Sequence, residues 1–162
     1  MSEARALERV FEPLQIRQAT FRNRMVKSPQ DMNLADFADG SITQDLIDFY
    51  GALARGGVGG IIVEQSIVDA AGHREGTIAV FADRFLPGLT SLAAAAHAHG
   101  CPIVMQINHL GPFAFFPPNG RHPDFVPVAP SALSKDRTRQ AYLGIEARGP
   151  RALTVAEIKE IV

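Results

Sequence analysis

Gly60-Ile61-Ile62-Val63-Glu64-Gln65-Ser66 and Pro102-Ile103-Val104-Met105-Gln106-Ile107-Asn108-His109 are two apolar runs that each break off into polar side chains. A strand buried on both faces of a parallel sheet reads as a near-continuous Val/Ile run. The carboxyl ends of such strands are where α/β proteins place ligands and catalytic groups. The two stretches therefore predict parallel strands that end in a functional rim.

Working outward, the flanking elements alternate. Leu14-Gln15-Ile16 and Ala19-Thr20-Phe21, around Arg17-Gln18, predict a small hairpin within 11–23, and Met25-Val26-Lys27 running into Ser28-Pro29 predicts a first buried strand. Thr43 is a good N-cap for a helix in which Leu46, Ile47, Tyr50, Leu53 and Ala54 recur at helical spacing, ended by Gly56-Gly57. Asp83 is a second N-cap candidate, ahead of Phe85, Leu86, Leu89, Leu92, Ala93 and Ala96, with Pro87 in the first turn and Gly100 as the stop. Strand, helix, strand, helix, strand over 24–109 implies right-handed parallel crossovers. Gly56-Gly57-Val58-Gly59-Gly60 has the composition of a phosphate loop, but it closes a helix and precedes a strand, the reverse of a dinucleotide fingerprint. Helix capping accounts for it better.

Past His109 the composition shifts. Seven of the 11 prolines (112, 117, 118, 123, 127, 130 and 150) lie between His109 and Arg151, which predicts one long irregular connection over 110–153. Thr154-Val155-Ala156-Glu157 then matches a capping box, so a third helix is expected over 154–162. Three parallel strands with two completed helices leave both sheet edges open. The pattern thus reads as α/β, the N-terminal part of a (β/α)8 TIM barrel with parallel strands, preceded by a small β-hairpin. It is expected to be cut short or completed by another polypeptide, with a homo-oligomer or a complementing C-terminal half as partner.

The 162-residue chain is 46% apolar and 20% charged with a formal net charge of -1, which gives no reason to invoke nucleic acid or a membrane surface. Cys101 stands alone, excluding a disulfide framework and a cysteine metal cluster, and beside an apolar strand it reads as a small buried hydrophobe. His97 and His99, two apart on a helix, do not share a face, and no metal is expected. Met1-Ser2-Glu3-Ala4-Arg5 carries no apolar leader, so a cytoplasmic protein is expected. The basic excess of Arg121, Lys135, Arg137, Arg139, Arg148 and Arg151 reads as solvated loop charge.

Five pieces of sequence in this order carry a resemblance: Phe11-Glu12-Pro13-Leu14 with Phe21-Arg22-Asn23-Arg24; Ser28-Pro29; Ile62-Val63-Glu64-Gln65-Ser66; Gln106-Ile107-Asn108-His109-Leu110-Gly111; and Ala129-Pro130-Ser131-Ala132. Together, over residues 10 to 162, the chain resembles the old yellow enzyme family, and most of all its bacterial ene-reductase and 2,4-dienoyl-CoA reductase branch. The resemblance implies an FMN-binding barrel that passes hydride from NAD(P)H to the flavin and on to a small molecule with an activated C=C bond. By position it implies that Ser28, Pro29 and Gln30 line one side of the flavin and that Gln65 supplies contact at the end of the second strand. Gln106 would hydrogen-bond the pyrimidine edge, where a side-chain amide offers both donor and acceptor.

The chain departs from the family in places. Gln30-Asp31 stands where many relatives have Met followed by Cys, Thr or His, and a carboxylate facing the ring would disfavour an anionic reduced flavin. Pro112 stands where this branch often has Arg. The family's substrate-anchoring His/Asn pair, its proton-donating Tyr, its flavin-contacting Arg and its Gly-rich phosphate site lie after the third helix, so no catalytic proton donor is assigned. His109 reads either as a strand-end cap or as a substrate or flavin contact. Glu64 reads as a general base or as the anchor of a neighbouring loop. Phe113, Phe115 and Phe116 would either roof an apolar substrate or pack against further chain. Two other readings remain: a non-catalytic half-barrel that binds a partner chain and no flavin, and an aldolase-like barrel using Lys27 as a Schiff-base lysine.

Overall fold

The structure, a computed structural model, describes residues 8–70, 74–114, 126–133 and 150–162. Strands β1 (Leu14–Ile16) and β2 (Ala19–Phe21) form the antiparallel hairpin, with Leu14 opposite Phe21 and Arg17 at φ 52° in the two-residue turn. A tight hairpin turn demands that left-handed conformation. β3 (Val26–Lys27), α1 (Gln44–Arg55), β4 (Gly60–Ile67), α2 (Leu86–His97) and β6 (Ile103–Asn108) follow in the expected alternation, with a short strand β5 (Ile78–Ala79) between β4 and α2. β3 and β6 are not the strands buried on both faces that their apolar runs predict: Val26 is 42% and Val104 53% exposed, because the helices cover one face of the sheet.

Local chemistry explains the helix bounds. The Thr43 hydroxyl accepts a hydrogen bond from Leu46 N at 3.3 Å and so caps α1, and Gly57 at φ 92° lets the chain leave its other end. Asp83 does not cap α2. Asp83–Phe85 forms a 3-10 turn, and Phe85 holds the N-cap position with no side-chain hydrogen bond. Pro87 lies in the first turn of α2 and brings no N–H of its own, so one orphan donor fewer needs a cap.

All pairings to β4 are parallel. Val26 and Lys27 of β3 align with Gly60 and Ile61, whereas Ile103, Val104 and Met105 of β6 align with Ile61, Ile62 and Val63. Ser66 and Ile67 pair with Ile78 and Ala79, so β5 continues the β3 edge toward the carboxyl end of β4. The odd positions Ile61, Val63, Ile103 and Met105 pack with Leu46, Tyr50, Ala54, Leu92 and Ala96 from the helices, and Cys101 closes this core as a fully buried, free thiol. Complete burial of each large apolar side chain here contributes about 1.5–3 kcal/mol. The other face carries Val26, Gly60, Ile62 and Val104 and looks away from the helices.

The hairpin seats against the amino end of that second face. A Cβ on Gly60 would lie 2.2 Å from the Phe21 ring, so the ring and the glycine backbone occupy one contact that no side chain fits. Asn23, 8% exposed, donates from Nδ2 to Gly57 O at 2.8 Å and accepts from Met25 N at 3.0 Å. It staples the hairpin to the α1–β4 turn, at the end of the sheet remote from the rim.

Three features of the sheet differ from the sequence expectation. The second strand does not stop at Val63 but runs to Ile67, through an irregularity between Val63 and Gln65 that absorbs Glu64. β5 went unforeseen because two residues show no periodicity. The connection over 110–153 is not wholly irregular: β7 (Val128–Ala129) and β8 (Arg151–Ala152) pair in parallel, fixed by Arg151 N to Pro127 O at 3.0 Å and Leu153 N to Ala129 O at 2.8 Å. The third helix, α3 (Val155–Ile161), has the expected capping box between Thr154 and Glu157, and Arg151 adds an ion pair to Glu157.

Candidate functional site

The polar residues that close β4 and β6 meet at one rim. Past the Glu64 irregularity the register sets Gln65 directly beside Gln106, and Asn108 follows two residues along the same face of β6. Ser28, Pro29 and Gln30 leave β3 beside the middle of β4 and lead to Asp31, whose carboxylate reaches Gln65. All five residues assigned by resemblance to the flavin therefore lie along the carboxyl ends of adjacent strands. Ser28, Gln30 and Gln106 are exposed, and Pro29 and Gln65 are half-buried.

Contacts at this rim were only partly legible. Asp31 Oδ2 accepts from Gln65 Nε2 at 2.6 Å and from Arg74 Nη2 at 2.8 Å, and Arg74 Nη2 also reaches Asn33 Oδ1 at 3.1 Å. Asn108 Nδ2 donates to Gln65 Oε1 at 2.5 Å. Both ends of the Gln65 amide are thus committed to protein. Gln106, by contrast, has no side-chain hydrogen-bond partner among the described residues, so its donor and acceptor are both unspent. Asp31 is not a bare carboxylate, since Arg74 neutralises it. Asn108 was named only as part of the run that closes the strand, with no role of its own, and Arg74 was not singled out at all: a lone arginine in a loop carries no local signal of the carboxylate 43 positions upstream that it pairs with.

Beneath the rim lies Glu64, 1% exposed. One carboxylate oxygen accepts from Met32 N, and the Glu64 N–H donates to Tyr50 Oη at 3.1 Å. The other oxygen, Oε1, is buried without a partner among the described residues. Burial pushes the Glu64 carboxyl above the usual range, opposed by the Met32 hydrogen bond, and burial likewise pushes the Tyr50 phenol up to about 12. Of the two readings of Glu64, the loop anchor is the one its contacts support, because Met32 belongs to the loop that carries Ser28 to Asp31. Lys27 aligns with Ile61 on the helix side, donates to Ser28 O at 2.7 Å and stands 5.8 Å from the Tyr50 ring centroid. A Schiff-base lysine would have to face the other way. Cys101 sits at the opposite end of β6 and burial raises its thiol, so it is no nucleophile at this rim.

His109, one residue past β6, is held from both sides. Its Nδ1 accepts from Gly111 N at 3.0 Å and its Nε2 lies 3.3 Å from Asp69 Oδ2. In the neutral ring the proton is therefore on Nε2. Next to His109 opens an apolar cavity of about 460 Å³, lined by Leu110, Pro112, Val128, Pro130, Leu153 and Ile158 among others. Phe115 and Phe116 lie outside the described residues, as do Arg121, Lys135, Arg137, Arg139 and Arg148 of the basic stretch. Among the described residues no group of three or more His, Cys, Asp or Glu is placed to hold a metal ion, and no helix is long and apolar enough to cross a membrane.

Polar groups at the carboxyl ends of parallel strands make this rim the candidate ligand site of an α/β fold. The model of the NADH:flavin oxidoreductase / NADH oxidase family matches residues 9–162, and the chain belongs to that family of flavin-dependent enzymes. It is 38% identical over 155 residues to an NADH oxidase of Thermoanaerobacter brockii, covering 94% of this chain and 22% of that protein. With an NADPH dehydrogenase of Halalkalibacterium halodurans it shares 31% over 155 residues, covering 95% and 41%. Among solved structures, a 2-naphthoyl-CoA reductase complex superposes with a TM-score of 0.83 at 26% identity, covering 94% of this chain and 24% of that one. The old yellow enzyme neighbours are TIM barrels, and this chain has the fold of the N-terminal part of one. It spans 22% of the length of that NADH oxidase and 41% of that NADPH dehydrogenase.

Proposed function

We propose that this chain supplies the flavin-binding rim of an FMN-dependent oxidoreductase of the ene-reductase and dienoyl-CoA reductase type. The observation that carries the reading is the register of Gln65 beside Gln106, which assembles a bound amide and a free amide on one face at the carboxyl ends of two strands. FMN, when bound, supplies the hydride chemistry, taking hydride from NAD(P)H and delivering it to an activated alkene.

The residues fit that cofactor. Gln106 offers its amide to the pyrimidine edge as both donor and acceptor. Gln65, immobilised between Asp31 and Asn108, gives the ring a flat polar floor without competing for its edge. Ser28, Pro29 and Gln30 flank the ring from the first strand, and Glu64 keeps their loop in place through Met32 N. His109, held by Asp69 and the Gly111 N–H, is the proposed substrate contact beside the rim, through its ring rather than through an unspent nitrogen. A small molecule with an activated C=C bond is the proposed substrate.

Protein whose barrel is complete, in one chain or with a complementing C-terminal half, should quench flavin fluorescence when titrated with FMN and hold a yellow chromophore. The bound flavin should bleach anaerobically with NADH or NADPH and recover its colour on adding an α,β-unsaturated carbonyl compound. A protein that binds no FMN would leave the other reading, a half-barrel that binds a partner chain.

A further inference from the structure

We propose that Arg74, on the loop between β4 and β5, is a positioning residue that neutralises Asp31 and thereby sets the charge felt by the cofactor ring. The inference rests on the flavin reading above. Gln65 sits beside Gln106 in the sheet and Asp31 is hydrogen-bonded to Gln65 at 2.6 Å, so any ring seated across those two amides lies one hydrogen bond from the Asp31 carboxylate. An uncompensated carboxylate there penalises the electron-rich reduced ring more than the neutral oxidised one.

Arg74 removes that penalty. Its Nη2 lies 2.8 Å from Asp31 Oδ2, with side-chain exposures of 25% and 30%, so neither charge is fully screened by solvent. Asn33 Oδ1 holds the same nitrogen at 3.1 Å and fixes the guanidinium at the end of the chain of contacts that runs through Asp31 and Gln65 to Asn108. Arg74 Nε is buried and has no partner among the described residues, so only its Nη2 is spent on these contacts. The arrangement makes Asp31 tolerable at a flavin rim and gives Gln65 a single orientation.

The test is the reduction potential of the FMN-loaded protein, measured by equilibration with a reference dye, beside the FMN dissociation constant. Arg74→Gln is expected to lower the potential, weakening reduced relative to oxidised FMN on the order of tenfold, which corresponds to about 30 mV for a two-electron couple. Asp31→Asn is expected to raise it, the double variant to return close to the parent, and Arg74→Lys to stay close to the parent because the charge survives. That order of potentials would not arise if Arg74 were only structural. Should Arg74→Gln fail to fold, Asp31→Asn and Arg74→Lys still read the same charge. FMN bound by all variants at one common potential overturns the role of Arg74 and leaves the flavin site standing. Absence of FMN binding by the parent itself overturns the flavin reading and this inference with it.

Discussion

Replacing Gln106 by Ala removes the one rim amide whose donor and acceptor are both unspent. Its side chain is exposed and has no hydrogen-bond partner among the described residues, so its removal breaks no hydrogen bond among them. An exposed substitution of this kind shifts stability by less than about 0.5 kcal/mol. Two neutral hydrogen bonds to the ring edge are worth about 0.5–1.5 kcal/mol each after exchange with water. FMN affinity should therefore fall by about 1–3 kcal/mol, roughly 5- to 150-fold in Kd. Fluorescence titration of FMN into the complete-barrel apoprotein measures Kd, and a thermal melt of the same apoprotein reports the fold. Equal Kd values for variant and parent would remove Gln106 from the site. A variant that lost its melt along with its flavin would show that the amide supports the fold instead.

Four further outcomes follow from the geometry. Gly60→Ala forces a methyl to within 2.2 Å of the Phe21 ring; the strain should cost about 1–3 kcal/mol, seen as a lower Tm, and an unchanged Tm would mean that the hairpin is not seated there. Asn23→Ala strands Gly57 O and Met25 N and should cost about 1–3 kcal/mol by urea titration, with FMN affinity untouched because the staple is remote from the rim. Glu64 titrates above its ordinary value in the folded state, so the native protein binds more protons than the unfolded chain between the two values; stability should fall as pH rises through that window, and Glu64→Gln should flatten the slope. Glu157 is held at about 2, first by Arg151 and then by Thr154, so its contribution to the start of α3 is present above its ordinary 4.5 and lost as pH falls toward 2. Amide exchange in α3 measured down that range checks it, and protection that persists to the lowest pH would refute it.

The alternation of Ile61, Ile62 and Val63 with helical spacing in Leu46, Tyr50 and Ala54 was enough to place three strands and two helices, because burial on both faces and one-sided burial leave different periods in the sequence. Caps at Thr43 and Thr154 were legible for the same reason: the group that is satisfied lies three residues away. Ser28, Pro29, Gln30, Gln65 and Gln106 could be set at strand ends by counting along the chain, and the family motifs supplied their expected roles. Asp83 misled because a good capping residue was read without the 3-10 turn that displaced it.

What the chain could not announce is which side chains meet. Glu64 became the anchor of the 28–32 loop only through an irregularity in β4, and that same irregularity set Gln65 beside Gln106. Asp31 read as a lone negative charge until folding brought Arg74 to it. Gln65 stood only as a contact implied by the resemblance, and folding tied both ends of its amide to Asp31 and Asn108. Periodicity and capping are local and survive in one dimension. Pairing across 34 and 43 positions depends on register and loop path, which exist only once the sheet has formed.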